Sequence, residues 1–571
     1  GGKASWKSQV DSGGAAYSAP AFYSALNGPI ENTAWAVDTI LARPDKTLPL
    51  LPGGQARAEK LTTLTVGEGA NRKEITAWAI TGVSTQPVPI WADADNRFFA
   101  LSFFLSWLPE AYAAEHDRIT VAQTKALSER APALRKALLK SPAGAVAFTN
   151  VQIFDADTKK FVAGQSVVVA DGRITAVGPA KSVKVPAGAQ VFEGRGKTLV
   201  PGLWDCHMHV ASDYSGLQAL SMGVTSIRDP GNDDDQTVDR RTRSANGQLL
   251  LPNVYPSSLI DGKGENTAQV ANVATSQAEA LALVHKAKER GFLGVKFYGT
   301  LDKGWLPAAA AEAHKLGLHV HGHIPAGMRP LDAINAGYDE LTHINWVVMQ
   351  AMPDEVIAKS NGMQRFEAPG RYMKDTDLDS GPIKTMIETM AAKGIYSDPT
   401  MVAFESIYVP ENGDLSPSYA PFVGTLPPSV ERGFRLGGFQ VPEGLTRADY
   451  RASWAKMVQL VGKMHKAGVP IVAGTDGFGI ELIHELEIYV DAGLSPGEAL
   501  ATATIVPARL VGQEKNTGSI KVGKVADLVL VEGDPSKNIG VLRQTRTVLL
   551  GGKLLDADEL RTASGFSGRP K

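Results

Sequence analysis

The chain has 571 residues, and its 58 Lys plus Arg against 60 Asp plus Glu leave a formal net charge of −2. That balance excludes the basic field of a nucleic-acid binder and of a polybasic membrane-surface protein. The 43% hydrophobic and 21% charged content excludes a disordered chain.

A single cysteine, Cys206, rules out an intramolecular disulfide. No stretch reaches the ~20 apolar residues of a membrane span. The nearest, residues 98–108, contains Ser102 and Ser106 and reads as a buried strand running into a helix. The sequence opens Gly1-Gly2 with neither Met nor a signal-peptide pattern, as a processed chain or an internal start within a longer precursor would.

In chain order, residues 30–42 read as a helix, with Pro29 where the entry to a first turn tolerates it. Extended segments follow at 56–66, 73–83 and 88–104, the second rich in β-branched and aromatic residues. Residues 110–140 read as one or two helices, ended by Ser141-Pro-Ala-Gly144. Residues 1–145 thus form an α+β extension without a catalytic constellation. Strand alternation then runs through 148–154 and 166–170, and Asp171-Gly172 marks a hairpin into 174–177. The same texture returns at 518–531 and 547–550, so 146–199 and 511–562 are expected to build one small β-sandwich from both flanks of the middle.

Between them, residues 200–510 alternate short apolar runs (224–227, 294–297, 318–323, 338–343, 394–399, 469–473) with helices such as 276–290 and 331–336. Strand–helix alternation over this length predicts an α/β fold, a (β/α)8 barrel. The Pro-, Gly- and Ser-rich stretch 407–447 breaks the rhythm and reads as an insertion, either a wall of the site or a surface excursion.

The chemistry-bearing residues sit at predicted strand ends. His207 and His209 are spaced i, i+2, which on a strand puts both imidazoles on one face, within reach of one metal. In Gly317–His323, His319, His321 and His323 share a face. Only His323 reaches the C-terminal mouth where barrel sites lie, so His321 and His319 read as hydrogen-bonded core residues. His343 ends another run. Lys296 lies inside an apolar strand, where a charge needs a partner. Asp476 ends the last strand, as a ligand or a helix cap. Tyr298, on the Lys296 face, is a candidate to line the pocket. Arg228 is a candidate for a substrate carboxylate or for an internal ion pair, and His484 for a substrate contact or a helix start. His116, His285, His314 and His465 fall in predicted helices.

Together, Val200-Pro-Gly-Leu-Trp-Asp-Cys-His-Met-His209, Met222-Gly-Val-Thr-Ser-Ile-Arg-Asp229, Gly294-Val-Lys-Phe-Tyr298, Gly322-His-Ile-Pro325, Ala336-Gly-Tyr-Asp-Glu-Leu-Thr-His343, Ala473-Gly-Thr-Asp476 and Val522-Gly-Lys-Val-Ala-Asp527 resemble the amidohydrolase superfamily. Within it they resemble the imidazolonepropionase-like and Zn-dependent prolidase-like branch, over about residues 146–562. The resemblance implies that His207, His209 and Asp476 hold a more buried metal and that His323 and His343 hold a second. Lys296 would bridge the two as a CO2-derived carbamate.

One or two Zn2+ ions, or other divalent metals, are the implied cofactor. Asp476 would move the proton from water to the leaving nitrogen, and His343 or His321 would steady the oxyanion. The implied activity is hydrolysis of a C–N amide bond in a dipeptide, Xaa-Pro or N-acyl amino acid. A cyclic amide, carbamate, ester or lactone hydrolase on the same metals is the alternative, and a non-catalytic binding or scaffold barrel the alternative of another class. The expected partner is a small molecule, with no nucleic acid; a homo-oligomer stays open. Long members with such extensions resemble exported bacterial proteins, so a periplasmic or secreted location is expected, without excluding the cytoplasm.

Overall fold

A computed structural model describes residues 2–17, 20–102 and 106–571. The chain forms two compact units. One comprises Gly1–Ala137, Glu411–Gly437 and Arg561–Lys571, the other Leu138–Pro410 and Gly438–Leu560.

In the first unit, strands Phe22–Tyr23, Thr47–Leu51, Gln55–Val66, Lys73–Thr81, Val88–Asp93 and Phe98–Ala100 lie side by side in that order. The helix Ile30–Ala42 lays Val37, Ile40 and Leu41 on Leu48, Ala58, Ile80 and Ile90, an apolar stripe at helical spacing. The extended run read at 88–104 is interrupted. Asn96 takes a positive φ of 59°, and Asp93 Oδ1 accepts from the Asp95 and Arg97 amides, turning the chain. The rest of that run, and of 98–108, includes 103–105, outside the described residues. A hairpin of Gly2–Lys7 and Ser12–Tyr17 was not legible, its Gly and Ser content masking the strands.

The insertion also resolves differently from its reading as part of the barrel region. Glu411–Gly437 belongs to this first unit, where Arg432 pairs with Asp11 at 2.7 Å and donates to Tyr23. A Pro- and Gly-rich stretch with only short helices has no core of its own and must pack on another.

In the second unit, both flanks meet in one eight-stranded sheet. Its order is Arg173–Pro179, Lys160–Ala170, Val146–Asp155, Lys197–Pro201, Leu528–Glu532, Thr545–Leu550 and Lys553–Asp556, with Gln190–Glu193 also on Val146–Asp155. The seam is antiparallel, Leu199 opposite Leu530, and Phe148, Val151, Leu199, Leu528 and Leu549 fill its core. Asp171 and Gly172 both have positive φ, 49° and 76°, the backbone a two-residue type I′ hairpin requires.

The remaining strands form the barrel, all parallel: Leu203–Asp205, Val224–Asp229, Asn253–Gly262, Gly294–Phe297 and His319–Gly322 in one sheet, Glu340–Thr342 and Tyr396–Asp398 in another. An eighth position at Ile471 bridges Ser397. The ring is closed by two bonds. The Asp339 amide donates to Val320 O at 2.9 Å, and the Cys206 amide to Ala473 O at 2.8 Å. The third strand, Asn253–Gly262, was not anticipated. Pro256, Ser257, Ser258 and Asp261 break its apolar run because its buried face meets polar partners rather than a hydrocarbon core. Among the described residues no helix is long and apolar enough to cross a membrane.

Candidate metal centre

The C-terminal ends of the barrel strands carry the site, as in other barrels of this kind. The first strand ends at Asp205, so His207 and His209 lie in the turn beyond it rather than on the strand. His207 is anchored there by Asp205, whose Oδ1 accepts from the His207 and Thr475 amides and whose Oδ2 accepts from Thr475 Oγ1. Asp205 thereby ties the two ends of the barrel together. Burial pushes its carboxyl up to about 6, against these bonds.

Three histidines converge on Asp476. His209 Nε2 lies 3.3 Å from Oδ1, His207 Nε2 3.8 Å from Oδ1, and His343 Nε2 3.9 Å from Oδ2. Ligand atoms of His207, His343 and Asp476 all fall within 4.8 Å of one another. Each of the three rings has its other nitrogen engaged: His207 Nδ1 with Asp398 Oδ2 at 2.6 Å, His209 Nδ1 with Gly231 O at 2.6 Å, and His343 Nδ1 with Thr400 Oγ1 at 2.8 Å. That is the outer support that fixes tautomer and aim in metal-ligating histidines. His343, Thr400 and Asp476 all adopt positive φ, 64°, 45° and 53°, a strained backbone held by the packed ring.

His323 completes the group, its ring 5.0 Å from His343 and stacked at 3.9 Å on Tyr298. Its Nδ1 is buried with no hydrogen-bond partner, an orphan that a metal would satisfy. Lys296 Nζ lies 3.2 Å from His207 Nε2, and among the described residues no carboxylate comes within ion-pair distance of it.

The electrostatics favour the ligand forms. Burial pushes the Lys296 amine down to about 8 and the His343 imidazole to about 3, and holds His207 and His323 well below the usual range. Burial works against the Asp476 charge, but the His209 hydrogen bond and the neighbouring cations outweigh it and hold the carboxyl at about 2. Burial works against the His209 charge too, but the Asp476 hydrogen bond outweighs it and raises that imidazole. Neutral imidazoles at His207, His323 and His343 beside an ionised carboxylate are what a divalent ion takes up.

Three candidate substrate contacts fall elsewhere. Arg228 is fully buried. Its Nη1 donates to Glu340 at 2.5 Å, its Nη2 to Asp398 at 2.7 Å and its Nε to Cys206 O at 2.7 Å, so it braces the barrel axis and offers nothing to a substrate. His321 lies one layer below the mouth, bonded to Ser257 Oγ at 2.9 Å and out of reach of an oxyanion. His319 pairs with Glu340 at 2.9 Å. His484 is held between Glu405 and Glu487 at 2.8 and 2.9 Å. Strand parity gives the face of a side chain but neither its depth nor its acidic partner. Tyr298 does line the site.

Asp398, Glu340 and Thr400 were missed. They come from strands six and seven, read only as apolar runs, and the one signal was a carboxylate in Ser397-Asp-Pro-Thr400. Gly474 is also required, since a Cβ there would lie 2.3 Å from Asp398 Oδ1 and 2.7 Å from His207 Cβ. Gly474→Ala is expected to weaken metal binding about 10- to 100-fold, read by competition with a chromogenic chelator.

A closed parallel barrel with a His-rich, carboxylate-bearing mouth defines a metal-ligating hydrolase-type site. Residues 198–555 match the amidohydrolase family, and the chain belongs to it. An adenine deaminase of Mesorhizobium japonicum is 22% identical over 413 residues, 70% of this chain and 56% of that protein. The ochratoxinase of Aspergillus niger is 25% identical over 437 residues, 62% of this chain and 75% of its own. Among solved structures, a Xaa-Pro dipeptidase with bound methionine superposes with a TM-score of 0.54 at 19% identity, over 72% of this chain and all of that one. The chain spans 13% and 56% of two of the adenine deaminases it matches.

Proposed function

We propose that this protein hydrolyses a C–N amide bond with a divalent metal, zinc by the N/O character of its donors, on dipeptide, Xaa-Pro or N-acyl amino acid substrates. The observation that carries the reading is the set of inward Nε2 atoms of His207, His209 and His343 around Asp476, each ring buttressed at Nδ1. His207, His209 and Asp476 would hold one ion and His323 and His343 a second. An ion there acidifies water and polarises a carbonyl.

The chain's own part is proton management. Asp476, ionised at neutral pH, accepts the proton of the attacking water at its carboxylate and returns it to the leaving nitrogen. Lys296, buried with no acid in ion-pair distance among the described residues, would be suited to carry a carbamate, its neutral amine nitrogen bonding the carbon of CO2 with loss of a proton to give a further carboxylate donor. Incubation with 13C-bicarbonate and zinc is expected to give one 13C carbamate resonance that Lys296→Arg lacks; its absence from both removes this role.

The names of the relatives, among them a dipeptidase and an ochratoxinase, support a C–N substrate. The test is a panel of dipeptides, Xaa-Pro and N-acyl amino acids with zinc supplied. Amide cleavage that a chelator abolishes is expected. A chain that retains no transition metal and cleaves none of the panel overturns the reading.

A further inference from the structure

With Arg228 committed to the barrel axis, the mouth holds another guanidinium in a different state. Arg365 lies on the helix Gln364–Tyr372, in the segment that follows the sixth barrel strand. Its guanidinium carbon stands 4.7 Å over the Phe366 ring. Asn361, which its Nη1 faces, donates to Thr300 Oγ1 at 2.8 Å, two residues past Tyr298, and the Arg365 charge is felt at His323 and His343. Its position is fixed from two sides, Nη1 weakly toward Asn361 Oδ1 at 3.5 Å and its backbone carbonyl accepting from Asn345 Nδ2 at 3.1 Å. Nε is buried with no hydrogen-bond partner, and among the described residues no carboxylate lies within ion-pair distance. Arg228 has two acids on its guanidinium, whereas Arg365 has none among the described residues.

Its neighbours narrow the ligand. Phe366 stacks toward Phe404, which meets His343 edge-on at 5.8 Å, and Trp346 lies 5.4 Å from His323. The site therefore presents one fork-shaped cation beside an apolar aromatic wall and the metal-ligating histidines.

We propose that Arg365 binds the free α-carboxylate of the amino acid released from the amide nitrogen, and that Phe366 and Phe404 take its apolar side chain. The substrate class is then an N-acyl amino acid or dipeptide with an apolar C-terminal residue and a free carboxylate. This rests on the amide-hydrolase reading and deepens it. The bidentate fork of arginine matches a carboxylate in a way the point charge of lysine does not.

The test compares N-acetyl-L-leucine with N-acetyl-L-leucinamide on the zinc-loaded full chain, by turnover and by calorimetric binding. The wild type is expected to favour the carboxylate by about 10- to 100-fold in both. Arg365→Met should collapse that preference towards unity at unchanged metal content, with Arg365→Lys in between and the change carried mainly by KM. Binding answers the question even where turnover fails. If nothing is cleaved but the wild type still prefers the carboxylate in an Arg365-dependent way, the amide-hydrolase reading falls and the carboxylate subsite stands. Equal binding of the two ligands by the wild type, or a preference that survives Arg365→Met, overturns the subsite.

Discussion

Asp476→Asn is expected to lower kcat by about 10³-fold with the fold intact and a bound metal still detectable. Asparagine is the right probe because residue 476 sits at a φ of 53°, a conformation that Asn tolerates better than most L-residues. It also keeps the backbone link from the 476 amide to His207 O, 2.6 Å long. What it removes is the carboxylate. Asp476 is the acid within reach of the Nε2 atoms of His207, His209 and His343, and its carboxyl is held at about 2, so it stays a proton acceptor across the neutral range. An amide in its place cannot take a proton. Single-turnover rates with metal analysis on the same sample check this, and retained turnover at full metal loading would remove Asp476 as the proton carrier.

Arg228→Met should cost about 3–5 kcal/mol of stability, the larger structural effect of the two. The guanidinium holds Glu340 and Asp398, all three fully buried. Without it two acids remain fully buried, and removing one partner of a buried network is worse than removing all of it. Burial works against the Glu340 charge, yet Arg228 outweighs it and holds the carboxyl well below its usual range. Burial keeps Asp398 well above its range despite the same arginine. The depressed Glu340 contributes stability that is present above the ordinary carboxylate range and lost as pH falls through its native value. In Arg228→Met that contribution disappears, so the pH dependence should flatten on the acid side. The companion Arg228→Met/Glu340→Gln is expected to recover part of the loss, since a neutral amide is cheaper to bury than an unpaired carboxylate. Denaturant midpoints measured across pH check both, and a midpoint unchanged by Arg228→Met would refute the bracing role. His207 is also affected, because Asp398 orients its Nδ1, so metal affinity should fall together with stability.

Much of the site was legible in one dimension. A metal centre needs histidines and a carboxylate at strand ends. Strand ends follow from apolar periodicity, which marked His207, His209, Lys296, His323, His343 and Asp476 as candidates, and the resemblance to the amidohydrolase superfamily gave them their expected metal roles. The hairpin at Asp171-Gly172 was legible because only a few residue pairs accept two positive φ angles in succession. Other parts were not. Asn253–Gly262 hid because a barrel strand with Ser257 and Ser258 on a buried face does not look apolar. The histidine pair was expected on a strand, and it lies past the end of one, where Asp205 holds the His207 amide and reaches Thr475 across the barrel seam.

The sequence by itself determined the alternation of the elements, the two-ended sheet and the set of candidate metal ligands, because each depends on local pattern and residue chemistry. The tertiary structure alone decided which charges are consumed and which are free. In the sequence Arg228 stayed open between a substrate carboxylate and an internal ion pair, and nothing marked Arg365. Only the closed barrel brings Glu340 and Asp398 onto Arg228 and leaves Arg365 facing Asn361 with no acid in ion-pair distance among the described residues. An ion pair forms between residues that are distant in the chain, and burial sets its energy. Neither the distance nor the burial exists until the chain has folded.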